Sequence, residues 1–199
     1  SFYNGTNNKN IYPTPVIGGV GLIKKLNQPL NHKFKNENNV LLLIGKTFGH
    51  LEQSCFLKEN YSIIDGMPPD INLVNEKNNG ETLLKLIDKN LILSSHDISN
   101  GGLITALSEM SISSNYGAKI QKPKKLTNLF KYFFGEDQAR YIIEISPNNL
   151  IKVENILKEN DIYHENIGFT QKEYLEIEGE LKISTKDLFK INNEWYNNY

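Results

Sequence analysis

Residues with the chemistry to bind phosphate are concentrated between Leu91 and Leu103, where a buried strand is predicted to turn into a helix. Gly101 and Gly102 open that helix, and their lack of side chains lets an anion approach the backbone. The first N–H groups of a helix have no acceptor within it, and its dipole favours negative charge there. The stretch therefore predicts a phosphate or nucleotide site, which a Gly101→Val change should weaken while leaving the fold largely intact.

Three polar residues just before the glycines are further candidates for this site, namely His96, Asp97 and Ser99. A structural interpretation stays open beside the functional one. In it, Ser99 or Asn100 caps the helix and Asp97 bonds the turn backbone, while His96 lies in the core with its hydrogen bonds satisfied. Geometry alone favours the structural interpretation, because strand-to-helix turns are common. The loop lacks the lysine of a Walker-type loop, so that class of nucleotide site is excluded.

The composition excludes several classes of function. Lys and Arg number 22, Asp and Glu number 23, and no stretch concentrates positive charge, so nucleic acid is not an expected partner. Cys55 is the single cysteine and no His/Cys grouping has zinc-ligand spacing, which predicts a reducing compartment and no metal site. No segment approaches the ~20 apolar residues that cross a bilayer, and the first residues lack the basic-then-apolar order of a signal peptide. A cytoplasmic protein without membrane contact is therefore expected.

Two unequal parts are predicted along the chain, residues 1–30 and residues 31–199. In the first part, residues 11–23 are rich in β-branched residues and predict a strand, in which Pro13 and Pro15 confine pairing to one side. A lone edge strand cannot make a core, so this strand is expected to complete a sheet supplied by another chain or by upstream sequence. Ser1 in place of an initiator methionine likewise indicates a piece of a longer polypeptide.

The second part is predicted to interleave helices and strands in an α+β fold. A buried strand is expected over residues 40–44, and a helix is expected to run from a cap at Asp70 towards Asn90. The inner face of this helix is predicted to carry Leu83, Leu84, Leu86 and Ile87. The other predicted strands are 91–93, 140–145, 165–170 and 173–177, and the other predicted helices are 101–113, 146–159 and 184–195.

Five segments, in the same order, resemble the large subunit of the phosphoribosylformylglycinamidine synthase family. Residues 96–103 read HDISNGGL, which resembles the family's HDxS(D/E)GGL, and residues 12–18 read YPTPVIG, as the family does. Generic strand formation does not demand YPTPVIG, so this match carries particular weight. The remaining matches are SFYN at residues 1–4, GHLEQS at residues 49–54 and FGEDQAR at residues 134–140.

The resemblance implies a fold. It places the chain in the aminoimidazole-ribonucleotide-synthetase-like superfamily, in which a β-barrel-forming amino-type domain precedes a carboxy-terminal domain, the pair being duplicated in this family. Residues 1–30 would then be a β-strand remnant from the tail of the second amino-type domain. Residues 31–199 would be the carboxy-terminal domain, with a mixed sheet and packed helices.

The resemblance also implies an activity, that of an ATP-dependent C–N ligase of purine synthesis that uses Mg²⁺. ATP phosphorylates the amide oxygen of formylglycinamide ribonucleotide, and ammonia from a glutaminase then displaces phosphate to give the amidine. Implied partners are the upstream half of the synthase, a glutaminase subunit and a small accessory subunit. Because phosphoryl transfer depends on positioning and charge neutralisation, the chain is expected to be inactive without those parts.

Carried over position by position, the resemblance makes Ser1 a contact to the ribonucleotide substrate. Glu136 and Gln138, on either side of Asp137, correspond to an acidic loop whose counterpart in the first half of the family touches substrate. A solvated turn is the alternative interpretation of these residues. No catalytic residue and no metal ligand is carried over onto this chain.

A second loop could line a phosphate pocket through His50, Gln53 and Ser54. Glu52 stands where the family has glycine, and Cys55 stands where it has a bulkier or acidic residue. A carboxylate and a Cβ at that point would repel and crowd an anion, so close phosphate approach is in doubt at this loop.

Two alternatives to this function stay open. One is another ATP-dependent member of the superfamily, such as aminoimidazole ribonucleotide synthetase, selenophosphate synthetase or thiamine-monophosphate kinase. The other is a non-catalytic module that holds a structural nucleotide or stabilises a complex. Restoring activity with the upstream polypeptide would distinguish the enzyme fragment from such a module.

Overall fold

The computed structural model describes residues 5–6, 9–10, 16–22, 30–123 and 128–197. A short hairpin, β1 (Gly5–Thr6) paired with β2 (Lys9–Asn10), is separate from the main sheet. None of the described helices is long and apolar enough to span a membrane.

Seven strands form the main sheet. They are β3 (Val40–Ile44), β4 (Ser94–Asp97), β5 (Tyr116–Ile120), β6 (Tyr141–Ile145), β7 (His164–Lys172), β8 (Tyr174–Ile177) and β9 (Leu181–Ser184). Their spatial order is β4-β6-β3-β7-β5-β8-β9, and neighbours run antiparallel except for the parallel pair β5 and β8. The predicted α+β class with a mixed sheet is confirmed.

Helices cover both faces of this sheet. They are α1 (Cys55–Tyr61), α2 (Leu73–Asp88), α3 (Gly102–Ile112), α4 (Leu129–Phe134), α5 (Leu150–Glu159), which follows a 3₁₀ turn (Pro147–Asn149), and α6 (Thr185–Asn197). Helices α3 and α4 pack on one face, and α2 and α5 pack on the other. The helices predicted over residues 101–113, 146–159 and 184–195 are therefore confirmed, with the second beginning as the 3₁₀ turn.

The central strand β3 shows why the sheet needs helices on both sides. Its side chains alternate between the two faces, as the pleat of a strand requires. Leu41 and Leu43 belong to the core under α3 and α4, whereas Leu42 and Ile44 belong to the core under α2 and α5. All four are fully buried, so a continuous apolar run is what this position demands.

Helix α2 begins later than predicted. Asn72, not Asp70, caps it, because the Asn72 side chain accepts hydrogen bonds from the N–H groups of Val74 at 3.1 Å and Asn75 at 3.0 Å. On its predicted inner face, Leu86 is fully buried, and Leu83 and Ile87 pack partly buried against the core. Leu84 was wrongly placed, since it is 60% exposed.

The strand predicted over residues 91–93 is wrong, because the observed strand begins three residues later in the sequence. Strand β4 covers Ser94–Asp97 and pairs with β6 from Ser94 opposite Glu144 to Asp97 opposite Tyr141. Long-range pairing with β6 sets these bounds, which the apolar run Leu91–Leu93 does not reveal. His96 and Asp97 consequently lie in the strand and not in the turn after it.

The strand predicted over residues 11–23 is not found in the part of it that the structure describes. Residues 16–22 have no regular secondary structure, and Val16 and Val20 are 95% and 99% exposed. No described strand pairs with them, and a strand without a partner leaves its backbone groups to water. Residues 11–15 and residue 23 lie outside the described residues. The division at residue 30 stays a prediction.

A fully buried carboxylate, that of Glu144 on β6, fixes the chain that leads into the sheet. It accepts hydrogen bonds from the backbone N–H of Lys35 at 3.0 Å, from the Asn39 side-chain amide at 2.6 Å and from the Ser94 hydroxyl at 2.7 Å. Charge-assisted bonds of this kind are stronger than neutral ones and leave few groups unpaired. Glu144 thereby joins residues 35–39 to strands β4 and β6.

Replacing Glu144 with alanine should destabilise the chain by about 3 kcal/mol, because buried donors lose their only charged acceptor. Urea denaturation followed by circular dichroism measures this loss. Glu81→Ala, which removes an exposed carboxylate on α2, serves as the control and should change stability by less than ~0.5 kcal/mol. Equal midpoints for the two variants would contradict the role given to Glu144.

Candidate functional site

A cleft of about 680 Å³ lies between the loop that follows β3, the turn before β6 and the start of α2. Residues 48–52 form one wall, and Gln138 and Ala139 line the cleft from the turn. The cleft combines apolar and polar groups, as small-molecule sites do. Its other lining residues are Leu57, Pro69, Asp70, Asn72, Asn75, Lys131 and Asp137.

Asp137 holds the loop wall of this cleft in place. Its carboxylate accepts hydrogen bonds from the backbone N–H groups of Phe48 at 3.1 Å, Gly49 at 2.9 Å and His50 at 3.1 Å. The Asp137 side chain is only 5% exposed, so these amides take the place of water as hydrogen-bond donors to its charge. The loop after β3 is therefore wrapped around one buried anion.

Arg140 fixes the turn that carries Asp137. Its side chain is completely buried, and it donates hydrogen bonds to the carbonyls of Asp137 and Gly135 and to the Thr47 hydroxyl. The guanidinium also lies 3.9 Å from the Asp137 carboxylate. Burial lowers the pKa of Arg140, and the neighbouring Asp137 opposes that effect. The turn is thus closed by an internal ion pair with backbone bonds around it.

Glu136 joins this turn to two further segments. Its carboxylate accepts from the N–H of Cys55, the first residue of α1, at 2.8 Å, and from the N–H of Gly101, the cap of α3, at 2.7 Å. A protein carboxylate therefore takes the position at Gly101 that the sequence predicted for a phosphate. Phosphate binding there stays a prediction, and it requires Glu136 to move.

Both glycines at the start of α3 have a left-handed backbone, with φ of 79° at Gly101 and 71° at Gly102. The Gly102 N–H donates to the Ser99 carbonyl at 3.1 Å. A Cβ on Gly101 would lie 2.2 Å from the Thr105 hydroxyl oxygen. The expectation that Gly101→Val leaves the fold intact is therefore wrong, because the change adds backbone strain and a clash.

His96 is not brought to the glycines. Its ring lies 2.7 Å from the Glu109 carboxylate and 3.3 Å from that of Asp97, and its centroid lies 5.3 Å from that of the His32 ring, with the two rings tilted by 51°. His32 in turn bonds the Ser113 hydroxyl at 2.9 Å. Glu109 is seven residues after Gly102, so this cluster lies about 10 Å along the helix axis from its start. The polar residues of the HDISNGGL segment are therefore divided between two places.

The loop of residues 49–54 is tied to the segment that follows α1. The His50 ring lies 2.9 Å from the Met67 carbonyl, and the Gln53 amide donates to the Gly66 carbonyl at 2.6 Å. The Glu52 carboxylate accepts from the Met67 N–H at 2.7 Å. Ser54 caps α1. These side chains hold a loop together, and only His50 and Glu52 among them also line the cleft.

The remaining candidates differ in what the structure says of them. Gln138 is exposed on the cleft wall, where a ligand could reach it. Ser1 lies outside the described residues. Among the residues that the structure describes, no group of three or more His, Cys, Asp or Glu side chains is arranged to hold a metal ion.

Three residues in or beside the cleft were not predicted from the sequence to belong to the site. Asp137 was noted only as part of an acidic loop, Arg140 only as the start of a strand, and Lys131 not at all. The available signal was an acid and an arginine spaced i, i+3 before a buried strand, which is compatible with a buried pair. That spacing does not identify the amides of residues 48–50 as partners.

Residues 36–178 match the family model described as AIR synthase related protein, C-terminal domain. Phosphoribosylformylglycinamidine synthase subunit PurL of Pelagibacter ubique is 50% identical over 199 residues, which is 100% of this chain and 27% of that protein. The PurL subunit of Rhodopseudomonas palustris strain HaA2 is 38% identical with the same coverage. The chain thus spans about a quarter of the length of these relatives.

Solved structures share the fold. Phosphoribosylformylglycinamidine synthase II from Thermotoga maritima has a TM-score of 0.63 at 15% identity, covering 80% of this chain and 27% of that one. T. maritima PurL complexed with FGAR has a TM-score of 0.65 at 16% identity, covering 80% of this chain and 29% of that one. HypE of E. coli, a hydrogenase maturation protein, has a TM-score of 0.57 at 16% identity, covering 79% and 52%. At these identities the likeness concerns the fold alone.

The reactivity of the Cys55 thiol depends on the neighbouring Glu136 carboxylate. Burial raises the pKa of this thiol, and the Glu136 carboxylate raises it further. Glu136→Gln should lower the pKa of Cys55 and speed its reaction with a thiol reagent severalfold at mildly alkaline pH, because the thiolate is the reactive form. The alkylation rate of the folded chain measures this. Glu59→Gln, which removes a more exposed neighbouring charge, should have a smaller effect, and equal rates in wild type and Glu136→Gln would contradict the contact.

His32 should make stability depend on pH. Burial lowers the pKa of His32 below its ordinary value, and the adjacent His96 lowers it further. The unfolded chain therefore binds the proton more readily, so the contribution of neutral His32 is complete above the unfolded pKa and is lost as pH falls through the folded one. Between about pH 7.5 and about pH 5, wild type should lose more unfolding free energy than His32→Gln. Parallel denaturant titrations test this, and identical losses would refute it.

Proposed function

The chain belongs to the family of AIR synthase related C-terminal domains, and from this premise we propose that it is the carboxy-terminal part of a PurL-type phosphoribosylformylglycinamidine synthase. One observation carries the proposal: the 50% identity to a PurL subunit extends over every residue of this chain. Identity at that level, without gaps in coverage, distinguishes this family from others that share only the fold. The chain corresponds to 27% of the PurL subunit, so the activity belongs to a larger protein.

The reaction of the complete enzyme would be amidine formation. ATP phosphorylates the amide oxygen of formylglycinamide ribonucleotide, and ammonia attacks the activated carbon and displaces phosphate. T. maritima PurL has been crystallised with ATP and with FGAR, which supports both as ligands of the family. A PurLQS structure from the same organism supports a multi-subunit assembly, in which a glutaminase subunit and a small accessory subunit are the proposed partners. Mg²⁺ would come with the nucleotide, held by the rest of the protein.

Within that enzyme, this chain would contribute the cleft described above. Gln138 is the candidate best placed to touch a ligand, because its side chain is exposed on the cleft wall. Glu136 accepts hydrogen bonds from two backbone amides, and His96 and Asp97 lie close to each other near His32. The proposed role of these three residues is therefore to hold segments of the chain in place, and not to bind substrate. Ser1 remains a proposed ribonucleotide contact on the basis of its sequence context alone.

A non-catalytic module is the second candidate function. Glu136 favours it, because a protein carboxylate takes the amide of Gly101 that a phosphate would need. In that case the chain would stabilise the complex and leave phosphate chemistry to the other half of the protein. The similarity to HypE favours neither function, since it concerns the fold alone.

Reconstitution tests the proposal. A PurL subunit shortened by the quarter that this chain matches should be inactive with ATP, formylglycinamide ribonucleotide and ammonium chloride, and adding this chain should restore amidine formation. The chain alone should show no turnover, because it corresponds to only 27% of the PurL subunit. Chain denatured by heat is the control for non-specific effects. Turnover by the chain alone would refute the fragment proposal, and a bound but inert mixture would favour the non-catalytic module.

A further inference from the structure

We propose that Asp137 is a positioning residue for substrate binding: it holds the backbone of residues 48–50 as one wall of the cleft in the geometry that the ligand requires. This inference rests on the proposed function, because it concerns the substrates of the synthase. Asp137 does not itself touch the ligand in this proposal. Its carboxylate acts through the loop that it holds.

The contacts of Asp137 are concentrated on one target. One carboxylate oxygen accepts from the N–H groups of Phe48 and Gly49, at 3.1 and 2.9 Å, and the other accepts from His50 at 3.1 Å. Three consecutive amides therefore point at one charge. Bonds from amides to an ionised group are roughly twice as strong as neutral ones, and each amide would be left without this acceptor if the charge were removed.

The wall held by Asp137 carries further parts of the cleft with it. The His50 carbonyl accepts from the Glu136 N–H at 2.9 Å, and the His50 ring lies 2.9 Å from the Met67 carbonyl. Displacing residues 48–50 would therefore displace the neighbouring segment as well. Gln138, the residue directly after Asp137, also lines the cleft. Asp137 thus links two segments that line the cleft.

The turn that presents Asp137 is itself rigid. Arg140 is completely buried and bonds the carbonyls of Gly135 and Asp137, and the Asn79 amide donates to the Ala139 carbonyl at 2.8 Å. These hydrogen bonds anchor the turn to α2 and to its own backbone, and they remain when the ion pair between Arg140 and the Asp137 carboxylate is lost. Removing the Asp137 charge should therefore release the loop of residues 48–50 while leaving the turn in place.

Asp137→Asn in the reconstituted enzyme tests the proposal. Asparagine keeps the shape but presents an N–H₂ group to amide donors, so the wall should shift. The KM for ATP or for formylglycinamide ribonucleotide should rise by at least about tenfold with kcat within about threefold, as expected when binding is lost equally in ground and transition states. Asp137→Glu, which keeps the charge, should recover part of the loss. Asp88→Asn, at the far end of α2, is the matched control and should leave both constants unchanged.

A second readout needs only this chain. Amide hydrogen exchange at residues 48–50 should quicken by about tenfold or more in Asp137→Asn, while the amides of β3 keep their protection. If the wild-type mixture is active and Asp137→Asn lowers only the melting temperature with both KM values unchanged, Asp137 is merely structural and the proposal is overturned. Unchanged exchange at residues 48–50 would also overturn it. If the wild-type mixture is inactive, the proposed function fails instead, and the exchange result still decides whether Asp137 holds the wall.

Discussion

Two adjacent carboxylates, those of Glu136 and Asp137, join the turn before β6 to the loop after β3, to the start of α1 and to the start of α3. Between them they accept hydrogen bonds from five backbone N–H groups: those of residues 48, 49 and 50, of Cys55 and of Gly101. So many donors aimed at one point need an anion, because amides buried without an acceptor are costly. The protein supplies that anion from its own turn and balances Asp137 with Arg140. The loop after β3 and the start of α3 depend on this arrangement for their shape.

The elements that sequence predicted well are those whose signal is local. The continuous apolar run at residues 40–44 predicts a strand buried on both faces without reference to the strands it pairs with. Helix α3 carries its apolar residues at helical spacing. Strand β4 could not be bounded in this way, because its ends follow from pairing with β6, including Ser94 opposite Glu144. The cap of α2 was misplaced by two residues for a similar reason: Asp70 and Asn72 are both good caps, and packing decides between them. Helices α1 and α4, with seven and six residues, are too short for a periodic pattern to reveal.

The candidate site shows the same limit over a longer distance. The HDISNGGL and FGEDQAR segments were both predicted from the sequence as candidate site segments, and each was expected to face a ligand. In the fold they face each other, through the bond from Gly101 to Glu136, which are 35 residues apart. A single sequence holds no record of which acid meets which amide. The position of His96 beside Glu109 was hidden for the same reason, since it depends on strand β4 running past the far end of α3.

The exposed run of residues 16–22 has a consequence for the free polypeptide. Val16, Ile17, Val20 and Leu22 are each at least 90% exposed, and the run carries no charge. An uncharged, β-branched segment with open backbone groups is a template for intermolecular pairing and hence for aggregation. The glycines at positions 18, 19 and 21 counter this by lowering strand propensity. A segment that covers this run would remove that template.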